Sequence, residues 1–390
     1  MVNLLKEVSA PTFLLLVLFC ATLITTNTSA QNQAVKDSTE YAFLPAIAYD
    51  SDLGLILGGI GSRYRYQDGM KPFYSYINTS LIVTTKGLLS FFVAYDKPYF
   101  LNTENRLQSE TFISRFTGNQ FYGIGNYSEL PEALVDSAEY YFFNSFSAGA
   151  KFTLRKPLFR NINDSQLDVF GVAGFEYQTP WGNDSTQLII ADQPDGIDGA
   201  YTTNIGGGLV WEARNNEFNP TKGVYAKAGF QVASTFLGSS SSYFMLETDT
   251  RSYTSFTILK EITFANRLLF RNTTGDLPFW KLPDLGGADL LRGYPEYRFR
   301  DDNAILLNSE LRTWLFEFPS VDVRLGGSLF TDIGRTFPNG ESIENIYNDL
   351  KYTFGFGATA SFFTNDFIMR GDVGFSKEGY GIYFTAGYLF

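Results

Sequence analysis

Histidine is absent from the 390-residue chain and cysteine occurs once. The commonest general base, the commonest transition-metal ligand and any disulfide framework are therefore missing together. Carboxylates and lysines remain, but no nucleophile stands paired with a base, so an enzyme is not expected. Neither a cofactor nor a metal site is expected either. Long apolar runs are equally scarce, since after the first thirty residues none approaches the roughly 20 that a spanning helix needs. The formal net charge of −11 argues against nucleic acid as a partner.

The first thirty residues read as a targeting segment. Lys6 gives a positive start, Phe13 to Leu23 is apolar, and Thr28-Ser29-Ala30 offers small residues before a cut at Gln31. Cys20 follows Phe19, where lipid attachment requires a small side chain, so a lipoprotein is not expected. Residues 1–30 are expected to be a cleaved signal peptide, 31–41 a short polar periplasmic segment, and 42–390 the folded body.

The chain is rich in rings, with 38 Phe and 24 Tyr among its aromatics, although only 44% of it is hydrophobic. A soluble domain would have to bury so many rings; a membrane barrel can face them to lipid and set them in interfacial girdles. Periodicity favours the barrel. From Tyr380 to Phe390 one alternate set reads Tyr380, Ile382, Phe384, Ala386, Tyr388, Phe390, and the other reads Gly381, Tyr383, Thr385, Gly387, Leu389. From Val321 to Gly334 the outward set is Val321, Val323, Leu325, Gly327, Leu329, Thr331 and Ile333, whereas Asp322, Arg324, Ser328 and Asp332 share the opposite face. Such alternation is a strand with one apolar and one wet face.

The fold class expected is all-β: a transmembrane antiparallel β-barrel of about sixteen strands, an even number as bacterial barrels require. The strands fall near 42–49, 53–67, 72–86, 88–99, 104–117, 139–156, 166–179, 200–215, 222–235, 241–256, 259–273, 303–317, 320–334, 350–364, 366–377 and 380–390. With the start of the first strand in the periplasm, every long connection follows an odd strand and lies outside. The longest runs between strands eleven and twelve. Gly58-Gly59-Ile60-Gly61 and Gly206-Gly207-Gly208 sit inside strands, where they ease curvature rather than cradle phosphate.

In that longest connection the chain reads Gly286-Gly287-Ala288-Asp289-Leu290-Leu291-Arg292-Gly293-Tyr294, and strand thirteen holds Phe330-Thr331-Asp332-Ile333-Gly334. These two motifs resemble the bacterial surface antigen family, the barrels of the BamA and TamA type that assemble or export outer-membrane proteins. The turn Phe218-Asn219-Pro220-Thr221-Lys222-Gly223 and the segment Phe121-Tyr122-Gly123-Ile124-Gly125-Asn126 are similar to it more loosely. The resemblance implies that the Arg-Gly-Tyr loop enters the lumen and is fixed there by Asp332, with Phe330 and Gly334 flanking it. A buried guanidinium is costly unless a carboxylate meets it, best through a bidentate contact. Gly293 would let the chain turn sharply, and Tyr294 would add bulk.

Members of that family carry polypeptide-transport-associated domains in the periplasm; none is expected here, and the expected partners are proteins that replace them, alongside the lipid bilayer of the outer membrane. Glu310, Arg312, Arg324, Arg370 and Asp372 are expected to form a ladder of lumen charges, and Arg298, Arg300, Asp301 and Asp302 to pair with one another or with it. Pro45, Gly381, Gly387 and Phe390 are candidates for a weak seam between the first and last strands, because proline cannot donate to a ladder and glycine packs little. Two functions stay open: a non-enzymatic insertase or translocator, and a passive or structural barrel.

Overall fold

The computed structural model describes residues 37–390 apart from 69, 71–72, 127–139, 162–164, 183–186 and 363–367. Residues 1–36, with the expected signal peptide, lie outside the described residues. Eleven strands come first: β1 (Ser38–Asp50), β2 (Gly54–Tyr66), β3 (Ser75–Thr84), β4 (Leu88–Lys97), β5 (Arg106–Gln120), β6 (Phe142–Arg160), β7 (Gln166–Trp181), β8 (Ala200–Glu212), β9 (Gly223–Ala233), β10 (Tyr243–Thr257) and β11 (Glu261–Gly275). A two-stranded ladder follows in the next connection, β12 (Asp284–Leu285) with β13 (Phe299–Arg300). The chain returns to the wall as β14 (Asn303–Phe318), β15 (Val323–Phe337), β16 (Lys351–Phe362), β17 (Ile368–Phe375) and β18 (Tyr380–Ala386).

The sixteen wall strands close into one antiparallel barrel in chain order, with β11 joined directly to β14 and β18 to β1. Side-chain alternation decides which way each strand faces. On β15, Leu325 and Leu329 stand exposed on the outside while Ser328, Phe330 and Asp332 are buried on the inside. The same outward apolar rows recur as Leu81 and Val83 on β3, Phe264 and Leu268 on β11, and Phe354 and Phe356 on β16. These rows suit contact with hydrocarbon.

Most boundaries shift by a few residues from the sequence reading, and three of the shifts change where named side chains belong. β1 begins at Ser38 rather than 42, since Ser38 to Tyr41 pair with Tyr66 to Arg63. β15 begins at Val323, because Pro319–Val321 form a 3-10 turn and Asp322 takes a left-handed φ of 50°; Val321 and Asp322 therefore belong to no strand face. The last strand stops at Ala386 rather than 390. Gly387 has a φ of 82°, and the chain turns inward there. Tyr388 and Phe390 thus leave the lipid face assigned to them by alternation. Phe390 is buried against Tyr253 and Ala265, its carbonyl accepts from Arg312 Nη2 at 3.0 Å, and the Arg312 guanidinium lies over both the Tyr388 and Phe390 rings.

Closure is uneven. The β1–β2 register runs from Ser38 opposite Tyr66 to Asp50 opposite Gly54, and β17–β18 runs from Met369 opposite Ala386 to Phe375 opposite Tyr380. Between β1 and β18 one residue pair is in register, Asp50 with Tyr383. It is helped by Ser51 N–H donating to the Ile382 carbonyl at 2.9 Å and by Ile382 N–H donating to Ser51 Oγ at 2.8 Å.

Candidate functional site: the inward loop and its charge network

The connection between β11 and β14 folds into the barrel mouth instead of projecting from it. Its outer part packs on neighbouring loops: Phe279 meets Phe121 and Phe143 edge-on, with ring centroids 5.2 and 5.7 Å apart. Ile189, on the short helix α1 (Leu188–Asp192) of the β7–β8 loop, completes that cluster. Lys281 reaches Glu176 at 2.5 Å. The segment 121–126 closes over the inner part, since Gly125 N–H donates to the Arg300 carbonyl at 2.6 Å and Asn126 is held by Asp349 and by Thr336 N–H.

Deeper, the loop presents Arg292 to the wall. Its side chain is fully buried. Nε and Nη2 donate to Asp332 Oδ2 and Oδ1, each at 2.8 Å, which is the bidentate arrangement. Nη1 donates to Glu310 Oε1 at 2.6 Å and to Asp372 Oδ2 at 3.1 Å. The guanidinium also lies 3.4 Å from the centroid of the Phe330 ring. One cation therefore meets carboxylates from β14, β15 and β17. Burial pushes the Arg292 pKa down, but Asp332 and Glu310 outweigh it and hold it above the ordinary arginine value.

Two further arginines balance the charge. Arg312 Nε donates to Glu310 Oε2 at 2.8 Å, and Arg370 Nε lies 3.0 Å from Asp372 Oδ2. Three arginines and three carboxylates thus form one buried network, which offsets the desolvation of each charge. Four of the five expected ladder residues enter it. The fifth, Arg324, lies over the Trp314 ring at 4.3 Å. Arg298, grouped by sequence with its neighbours, instead pairs with Glu378 through two contacts of 2.7 and 2.8 Å.

Backbone contacts seat the same turn. Gly293 has a φ of 97°, and a Cβ there would come within 2.9 Å of the Gly374 and Phe375 backbones. Its N–H donates to Tyr383 Oη at 3.0 Å, and its carbonyl accepts from Ser376 Oγ at 2.8 Å. Tyr294 is buried edge-on to Phe299 at 5.0 Å within a cluster that includes Leu285, Leu291 and Leu306. A Cβ on Gly334 would press on Leu285.

The seam candidates fall apart as a group. Pro45 lies on β1 opposite Gly59, away from the single Asp50–Tyr383 pair. Gly381 leaves room for a ring, because a Cβ there would collide with Tyr383. Phe390 is across the lumen. Tyr383, which sequence reasoning did not single out, joins the seam to the loop: it is the residue paired with Asp50, and its hydroxyl reaches both Gly293 and the Tyr294 carbonyl. Its place on the inward alternate set was the available signal.

A second polar cluster lies where the loop meets the β1–β2 hairpin. Burial raises the Asp52 pKa to about 6, with Asp50 adding to it, and raises Glu296 to about 8, with Asp52 and Asp284 adding. Both acids are thus protonated more readily when folded, and their contribution favours the folded loop at low pH. It is lost as pH rises from the ordinary carboxylate range through about 6 to 8. Protease access to the loop is expected to rise over that window, and Glu296→Gln is expected to flatten the upper part of the profile. A pH-independent wild type would contradict this.

The Omp85 superfamily domain matches residues 76–390. The chain belongs to the Omp85 superfamily. It is therefore an outer-membrane β-barrel, from a superfamily of assembly and translocation barrels. Among solved structures, BamA from Haemophilus ducreyi lacking POTRA domains 1–3 is similar with a TM-score of 0.60 at 14% identity, over 90% of this chain and 70% of that one. CdiB from Escherichia coli gives 0.60 at 13%, over 91% and 64%. CdiB from Acinetobacter baumannii gives 0.54 at 15%, over 91% and 61%. No curated protein matches in sequence.

Proposed function

We propose that this Omp85 barrel is a non-enzymatic insertase or translocator that helps outer-membrane proteins or lipids enter or cross the outer membrane, working with partner proteins. In this reading residues 1–30 direct export and are removed, and Arg292 with Asp332 locks the loop in the lumen. The observation that carries the proposal is the seam. β1 and β18 share one registered pair, whereas every neighbouring pair is laddered over most of its length, and the residue at that pair also holds the loop through its hydroxyl. A wall that separates at one place, beside a loop it is bonded to, suits lateral passage better than a pore.

Depletion tests it. Loss of the protein is expected to lower the steady-state amount of a subset of outer-membrane proteins or surface lipids, with restoration by the wild type and not by a variant whose seam is closed with a disulfide. Unchanged envelope composition after full depletion would contradict the proposal and favour a plugged scaffold.

A further inference from the structure

The lipid-facing wall beside the seam carries a groove of about 400 Å³ lined by Tyr41, Phe43, Gly61, Arg63, Ile77 and Thr79. It lies at the end of the barrel where β1 begins and β2 ends, opposite the long loops, and so at the periplasmic leaflet. Its shape follows from register: on β2, Gly61 faces Phe43 of β1 and Thr79 of β3, while Arg63 faces Tyr41 and Ile77. The Phe43 ring lies over Gly59, 3.1 Å from where a Cβ would stand, but the space over Gly61 is open to at least 4 Å. Gly61 is therefore the floor, with ring and aliphatic walls on either side.

Arg63 is exposed on that outward face, and among the described residues it has no carboxylate partner. An arginine facing acyl chains is costly unless an anion meets it at the interface. The next outward position on β2 is also basic: Arg65 stacks on Tyr74 at 5.0 Å, with Lys97 over the same ring. In a chain of net charge −11, this concentration of cations at one interface fits a phosphate level.

We propose that this groove binds a phospholipid of the periplasmic leaflet, one acyl chain lying over Gly61 between Phe43 and Ile77 and the phosphodiester meeting the Arg63 guanidinium. Arginine suits this because its planar fork matches two phosphate oxygens. Tyr41 is placed as an interfacial aromatic beside the headgroup. The site stands independently of the assembly reading, since it requires only the barrel in its membrane.

Native mass spectrometry of the purified full chain, titrated with phosphatidylglycerol and separately with phosphate-free diacylglycerol, tests it. The wild type is expected to retain one phosphatidylglycerol in preference to diacylglycerol. Arg63→Glu is expected to weaken retention about fivefold or more, the factor for one cation near an anionic surface. Arg63→Lys should keep most of it, and Gly61→Leu should abolish it by filling the floor. Heat-modifiable migration on gels confirms that each variant is folded. Equal retention of the two lipids, or retention untouched by Arg63→Glu and Gly61→Leu, would overturn the proposal; indifference to Gly61→Leu alone would show that the groove takes something other than an acyl chain.

Discussion

Arg292→Ala is expected to be the most damaging single substitution in the lumen, and more damaging than Asp332→Ala. The guanidinium is fully buried and meets Asp332, Glu310 and Asp372 together. Removing it leaves three carboxylates facing two arginines, a buried excess of negative charge of the kind that costs about 3–5 kcal/mol. Asp332→Ala leaves the opposite excess, three arginines facing two carboxylates, but the guanidinium keeps Glu310 and Asp372 as partners, so its cost falls at the low end of that range, about 3 kcal/mol. The double variant restores the balance, with Arg312 and Arg370 against Glu310 and Asp372, so it should be less harmful than Arg292→Ala alone. Protease susceptibility of the loop, read across the four proteins, checks this; additive damage would mean that the two residues do not act on one another.

Gly381→Leu should produce the second large effect, and at two places simultaneously. A side chain at 381 would occupy the space of the Tyr383 ring, and such overpacking costs about 1–3 kcal/mol. Tyr383 supplies the registered contact with Asp50 and the hydroxyl that binds Gly293, so both should fail together. Cysteine labelling at Ser51 and within the loop would rise in parallel. Tyr383→Phe separates the two roles: it keeps the ring at the seam but removes the hydroxyl, and is expected to raise labelling of the loop alone. A rise in neither with Gly381→Leu would contradict the coupling.

The barrel was legible because period-two alternation with an apolar outer face has few other causes. Sixteen wall strands, the inward face of Asp332 and the approach of Arg292 to it were all accessible from pattern and motif. What was not legible depended on contacts between distant segments. Alternation through Tyr388 and Phe390 looked like continued strand, but it could not register the inward turn at Gly387 or the attraction of the Arg312 guanidinium for both rings. Gly381 read as a weak point, whereas it makes space for the ring of Tyr383. The lumen ladder was assembled from strand faces alone, which could not show that register sets Arg324 opposite Glu317 with its guanidinium over the Trp314 ring. The hold of segment 121–126 and of the β7–β8 helix on the loop likewise belongs to tertiary packing, with no periodic trace.

Arg292, bonded to carboxylates of three wall strands, is expected to hold the loop inside the barrel. Single-channel conductance in planar bilayers tests it most directly. The wild type is expected to show little steady current, and Arg292→Ala a clear gain in open events with the barrel still heat-modifiable. A large steady conductance in the wild type, or an Arg292→Ala trace indistinguishable from it, would contradict the account.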